Sequence, residues 1–152
     1  MNSANVLQHQ YAFARASDEC AVLATKGIWI CTAWYGWDEK NKIAFLCHFD
    51  SPFSAFSVNR IVNELSGITP KGGQYKSILV GGKKWFWSKC TRNCIKELVA
   101  TQNNLRISVQ EGEYDNCFID KRDVSICAKS GKVSNEKFSG KSHIAYSDVL
   151  DR

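Results

Sequence analysis

Residues 28–49 read I-W-I-C-T-A-W-Y-G-W-D-E-K-N-K-I-A-F-L-C-H-F, two runs rich in β-branched and aromatic residues around the polar stretch G-W-D-E-K-N. Runs of this composition bounded by turn residues form strands, and a short polar connection between them makes an antiparallel hairpin. The expected strands are 28–35 and 42–49, with a tight turn centred on Glu39-Lys40 that sets Cys31 directly opposite His48. Opposed residues share one face of a sheet, with Cβ atoms about 4.5 to 5.5 Å apart.

Before the hairpin, C-A-V-L-A (20–24) reads as a further strand, punctuated by Lys26-Gly27. After it, S-A-F-S-V-N-R-I-V-N-E-L spaces Phe56, Val58, Ile61, Val62 and Leu65 as one face of a helix, with Ser54 or Ser57 as its cap and Gly67 as its stop. K-S-I-L-V (76–80) is a short strand ending at Gly81-Gly82. T-R-N-C-I-K-E-L-V-A-T is a second helix whose apolar stripe holds Cys90, Cys94, Ile95, Leu98 and Val99. L-R-I-S-V-Q-E-G, N-C-F-I and D-V-S-I-C-A follow as strands. This order predicts an α+β fold, with mixed or antiparallel sheets packed against two main helices. It occupies one domain, 1–152, with its core over about 20–133 and looser ends at 1–15 and 134–152.

The composition fits one compact domain: 152 residues, 44% hydrophobic, 23% charged, with only 2 Pro. A formal charge of +5 is spread along the chain, which gives little support to nucleic-acid binding. No stretch approaches the roughly 18 apolar residues of a membrane span, and the first twenty residues lack the pattern of a secretory signal. Seven cysteines, at 20, 31, 47, 90, 94, 117 and 127, are an odd number without such a signal. That pattern argues for reduced thiols in a cytosolic protein and leaves one free to act as a nucleophile. The only close pair, Cys90 and Cys94, lacks the spacing of a zinc site, and no metal or organic cofactor is expected.

Histidine is scarce, at 9, 48 and 143, and only His48 lies inside an apolar strand. A strand histidine is ordinarily a satisfied structural residue, and Cys31 by itself reads as a small buried hydrophobe. Placed face to face, the two become a nucleophile and its base, because an imidazole beside a thiol favours the thiolate. Lys83 to Trp87 interleaves basic and aromatic residues and reads as an edge or partner-contact loop rather than a nucleic-acid stacking platform.

The segment T-K-G-I-W-I-C to H, Thr25 to His48, resembles the active-site region of the CheD chemoreceptor glutamine deamidases. Thr25, Cys31 and His48 stand at that family's intervals of six and seventeen residues, with Asp38 and Lys42 in the connecting turn. I-L-V-G-G-K-K-W-F is similar to the family's strand ending in a Gly-Gly pair, T-R-N-C-I-K-E-L-V to its Arg-Asn helix, and 105–133 to its closing strands. The resemblance implies a layered sandwich and hydrolysis of a protein glutamine side chain through a Cys31 thioester. It implies His48 as acid and base and Thr25 as the residue orienting the imidazole. Two departures lie at the entrance: Ile30 replaces the small residue before the cysteine, and Asp50-Ser51-Pro52 replaces a Leu-Pro.

Those bulky changes predict a narrow slot with Trp29, Trp85 and Trp87 as substrate contacts, so that a protein loop presenting an exposed Gln reacts and free glutamine does not. A cytosolic enzyme and an effector secreted without a signal peptide are both compatible with these residues. So is a catalytically silent relative that binds a protein through its aromatic rim, and so is a Cys-His transglutaminase or protease.

Overall fold

The computed structural model describes residues 2–28, 30–81, 86–112, 122–134, 142–144 and 148–149. The chain forms two mixed sheets and two helices, an α+β architecture. The first sheet has five strands in the order β10 (Ser142–Ile144), β1 (Ser3–Asn5), β3 (Val22–Ile28), β8 (Arg122–Cys127), β9 (Val133–Ser134). The second has six, in the order β11 (Asp148–Val149), β2 (Gln10–Arg15), β5 (Ile43–Phe49), β4 (Thr32–Asp38), β6 (Gln74–Gly81), β7 (Arg106–Glu111). A 3-10 turn over Ser54–Ser57 leads into α1 (Val58–Ile68), and α2 runs Phe86–Ala100. The expected N-C-F-I strand, which contains Cys117, lies outside the described residues.

The second sheet is the middle layer, and the alternation of its side chains says why. Ala12, Ala14, Ala33, Ala44 and Leu46 face the first sheet and close a core with Ala4, Leu23, Val124 and Ile126. Trp34, Phe45, Cys47, Phe49 and Leu79 point the other way, onto Ile61, Val62 and Leu65 of α1 and Ile95 of α2. Every residue of β5 is buried, which is why K-I-A-F-L-C-H-F reads as a continuous apolar run rather than an alternating one. Polar groups within the helix-facing core are paired: Trp34 Nε1 donates to Ser77 Oγ at 2.9 Å, and Ser77 donates on to the Ser108 carbonyl at 2.7 Å.

Four expectations need correction. The 1–15 segment is not loose: β1 and β2 place a strand in each sheet, and Tyr11 is fully packed against the helix-side core. The hairpin loop is two residues longer than a tight turn, spanning 39–42 between Asp38 and Ile43, because Asp38 Oδ1 accepts from the N–H groups of Lys40 and Asn41 and Lys42 adopts a φ of 54°. Ala33, not Cys31, therefore sits opposite His48, a slip of two residues that keeps the same face. α1 runs through Gly67 to Ile68, and Phe56 is exposed, since the first turn is 3-10 and rotates it off the apolar face. Cys90 and Cys94 are only partly buried, Cys94 at the edge of the helix-side core.

Cys31 is not strand-borne. The chain crosses from the first sheet to the second between β3 and β4, and Cys31 lies on the bend of that crossing. Gly27, at a φ of 71°, marks a bulge in the pairing of β3 with β8 that starts the departure. Three contacts hold the bend: Ser88 Oγ donates to the Ile30 carbonyl at 3.0 Å, Arg92 Nη1 donates to the Gly81 carbonyl at 3.2 Å, and Gly81 packs against it. Gly81 has a φ of 83°, and a Cβ there would meet Ile28 Cγ2 and the Cys31 carbonyl oxygen, the latter at 2.6 Å.

Gly81→Ala should therefore be destabilising by about 2 kcal/mol or more, through both backbone strain and the clash with the bend. Urea unfolding should show a lower midpoint with an unchanged slope, and an unshifted midpoint would contradict this account.

Candidate functional site

At the end of the middle layer where β4 begins and β5 ends, four segments converge: the bend carrying Cys31, the end of β5 with His48, the Thr25 position of β3, and the loop before β2 with His9. The β4–β5 ladder closes on Thr32 opposite Phe49, after Ala33 opposite His48. Ala33 and His48 share the face turned toward the first sheet, and beyond the ladder lie Cys31, on the bend and packed against the core of that face, and Asp50, which follows β5. Cys47 faces the helices instead.

His48 is 4% exposed, and its Nδ1 lies 2.7 Å from Thr25 Oγ1. The Thr25 hydroxyl has one proton, which it donates to the Val6 carbonyl at 2.6 Å. It can then only accept from His48, so the proton of the neutral imidazole is on Nδ1 and Nε2 carries the lone pair. Burial pushes the His48 pKa down to about 4, with Asp50 opposing and His9 adding to the shift, so the ring is neutral near physiological pH. Its Nε2 is buried and has no hydrogen-bond partner among the described residues.

The thiol–imidazole hydrogen bond expected from the sequence is thus not formed in this resting arrangement. Nor is Cys31 a preformed thiolate: burial, and after it the charge of Asp50, pushes its pKa up to about 11. Among the described cysteines the thiol pulled below its ordinary pKa is Cys127. Burial there would raise it, but hydrogen bonds from the Ser130 hydroxyl and the Ser130 and Lys129 N–H groups, with the Lys129 charge, outweigh that. All six described cysteines are free thiols.

A pairing that sequence reasoning did not foresee, between His9 and the entrance residue Asp50, completes the site. His9 Nε2 lies 2.7 Å from Asp50 Oδ2, and the His9 N–H donates to the His48 carbonyl at 3.1 Å. His9 and Asp50 lie 41 positions apart, and no spacing pattern announces the pair; the one signal was a charged residue, Asp50, two positions after His48 at the end of an apolar run. Of the expected substrate contacts, Trp29 and Trp85 lie outside the described residues, and Trp87 falls in the first turn of α2 with its side chain outside them too. Among the described residues the large apolar ones that are exposed, Leu7, Ile30, Phe53 and Phe56, lie on the segments that carry His9, Cys31 and Asp50. Ile30 is half exposed, so it stands on the rim rather than filling the slot. A separate cleft of about 1120 Å³ lies at the other end of β4, around Asp38, Lys76 and Arg106, and includes none of these groups.

Among the described residues no group of His, Cys, Asp and Glu side chains is arranged to hold a metal ion, and no helix is long and apolar enough to cross a membrane. In comparisons with known proteins, no family model and no curated protein matches the chain.

The His48 environment carries a signed pH dependence. A folded pKa of about 4 against 6.5 unfolded means that the unfolded chain binds the proton first as pH falls. Stability should drop as the pH is lowered from 6.5 toward 4, by up to about 3 kcal/mol, and His48 should contribute no further slope below that. Urea midpoints across this range should fall more steeply for the wild type than for His48→Gln; parallel curves would contradict the assignment. With iodoacetamide near neutral pH, peptide mapping should find Cys127 alkylated before Cys31, reversing the order a preformed Cys31 thiolate would give.

Proposed function

We propose that the chain is a divergent relative of the CheD deamidases that hydrolyses the side-chain amide of glutamine in a protein. The observation that supports this most is the Thr25 hydroxyl: by donating to Val6 and accepting from His48 Nδ1, it leaves Nε2 as an unpartnered base on the side of β5 that faces the first sheet, against whose core Cys31 packs. A histidine held only for packing has no need of a fixed tautomer with an open, buried lone pair.

Because thiol and imidazole are both neutral at rest, the reaction begins by general-base attack rather than from an ion pair. His48 Nε2 takes the Sγ proton as sulfur bonds to the amide carbon. The imidazolium then gives that proton to the nitrogen, the C–N bond breaks and ammonia leaves, with the acyl group held on Cys31 as a thioester. Water, deprotonated by the same Nε2, attacks the thioester; the C–S bond breaks, the glutamate carboxylic acid is released, and the sulfur recovers its proton. Backbone N–H groups near Cys31 would hold the oxyanion. No step needs a metal or organic cofactor. The partner is a protein with an exposed Gln rather than nucleic acid or membrane, docked on the rim of Leu7, Ile30, Phe53 and Phe56. Six free thiols suit a cytosolic setting.

The raised Cys31 pKa and the unmade thiol–imidazole bond favour a second reading, a silent member of the fold that uses the same rim only to bind. Mass spectrometry of candidate host proteins separates the two: wild type should convert specific glutamines to glutamate, and Cys31→Ala and His48→Ala should not. Thr25→Val, which unpairs Val6 and His48, should lower the rate by about tenfold to a hundredfold, and Thr25→Ser should restore most of it. Identical profiles for wild type and Cys31→Ala would leave the binding reading in place.

A further inference from the structure

Beside Cys31 the structure leaves polar atoms open. Among the buried polar atoms that lack a partner are His48 Nε2, Asp50 Oδ1 and His9 Nδ1. Each such atom is destabilising unless something else satisfies it, so a cluster of them points to a ligand. The Asp50 carboxylate is divided in its use. Its Oδ2 faces His9 Nε2 at 2.7 Å and accepts from Gln8 Nε2 at 3.5 Å, and its Oδ1 is buried with nothing to accept from among the described residues. Asp50 follows β5 and Cys31 precedes β4, each just outside the last pair of Thr32 with Phe49, and the Asp50 charge acts on Cys31.

The chemistry of what fits follows from which atoms are acceptors. His48 Nε2 is a lone pair because the ring proton is on Nδ1, and Asp50 Oδ1 is a carboxylate oxygen. A group on the Cys31 sulfur that reaches this cluster would meet two acceptors. A primary carboxamide offers a donor to such a pair through its NH2. A carboxylate offers only lone pairs and a second negative charge, and an ester offers no N–H at all.

We propose that Asp50 is the specificity-determining residue of this site, accepting an N–H of a primary carboxamide on Oδ1 and excluding carboxylates from Cys31, with His9 as the positioning residue that engages Oδ2 and leaves Oδ1 free. The proposal rests on the deamidase reading and names its substrate class as a side-chain primary amide. It also bears on product release: hydrolysis replaces the NH2 donor with a carboxylate facing Asp50, so the group that selects the substrate weakens binding of the product. A carboxylate beside the nucleophile is otherwise unfavourable, because its charge opposes ionisation of Cys31. Substrate selection accounts for that arrangement; thiol activation does not.

Three small alkylating agents test this without knowledge of the protein substrate. Iodoacetamide, methyl iodoacetate and iodoacetate differ only in presenting a carboxamide, an ester or a carboxylate one carbon from the reacting centre. Rates at Cys31 are read by peptide mass spectrometry on the full chain, and each is divided by its rate at Cys31 in the urea-unfolded chain. In the folded wild type the normalised rates should fall in the order amide, ester, acid, with amide exceeding acid by about tenfold or more. Asp50→Ala should bring that ratio close to its unfolded value, and His9→Ala should reduce it in part. Because the wild-type order needs no variant, the proposal stays testable even if Asp50→Ala does not fold. Equal normalised rates in the wild type would overturn it, as would an unchanged ratio in folded Asp50→Ala. An ester as fast as the amide would overturn the N–H contact. An amide preference in a chain that deamidates no protein removes the enzyme reading and keeps the selective site, whereas deamidation without that preference removes the role of Asp50 alone.

Discussion

One hydroxyl group, Thr25 Oγ1, ties the two sheets together at the end where the site lies. It belongs to β3 of the first sheet, donates to the Val6 carbonyl just beyond β1, and accepts from His48 in β5 of the second. All three segments are buried there, with Thr25 fully enclosed, so no water competes for these groups. Loss of the hydroxyl would strand a carbonyl and an N–H together, each destabilising by about 1 to 3 kcal/mol. The same contact that holds the sheets in register therefore also fixes which nitrogen of His48 is a base. The Ala-rich interface between the sheets makes this possible, because small side chains at Ala12, Ala14, Ala33 and Ala44 leave room for an imidazole to reach across.

Much of this was legible in the chain. The expected strands 20–24, 28–35 and 42–49 overlap β3, β4 and β5, and both helices lie where the apolar spacing put them, while the start of 28–35 is the bend that carries Cys31. The hairpin register was off by two residues because the hydrogen bonds of Asp38 stabilise a longer turn, and an even slip leaves every side chain on its face. The N-terminal strands were legible in principle: Q-Y-A-F-A-R alternates Tyr11 and Phe13 with Ala12 and Ala14, but both faces are buried and the short run does not stand out. The parallel pairings of β1 with β3 and of β6 with β7 are long-range facts that no local pattern encodes. The meeting of His9 with Asp50 is of the same kind.

The state of the thiol was the least legible part. Sequence proximity of a cysteine and a histidine suggests an ion pair, and that inference holds only where the site is wet or positively charged. Here the two residues sit between apolar sheets beside a carboxylate, and both effects act against the thiolate. For the imidazole they oppose each other: burial disfavours the charged ring, and Asp50 favours it. Low-pKa character goes instead to Cys127, on a turn whose N–H groups converge on the sulfur. Electrostatic surroundings, more than partner identity, decide which cysteine is activated at rest.

A neutral pair places a definite demand on the chemistry. A free thiolate at Cys31 would be opposed both by desolvation and by Asp50, so a mechanism that makes one before attack is disfavoured at its first step. If the proton moves to His48 while the C–S bond forms, negative charge passes from sulfur to the substrate oxygen as it develops and never rests beside Asp50. The positive charge left on His48 then lies near that carboxylate, which lowers the energy of the imidazolium at the moment the leaving nitrogen needs a proton. One fixed charge can therefore oppose the resting thiolate and still assist the later step. In the proposed deamidation its net effect depends on the substrate bringing an N–H to Asp50, so that the carboxylate would be partly neutralised only with an amide in place.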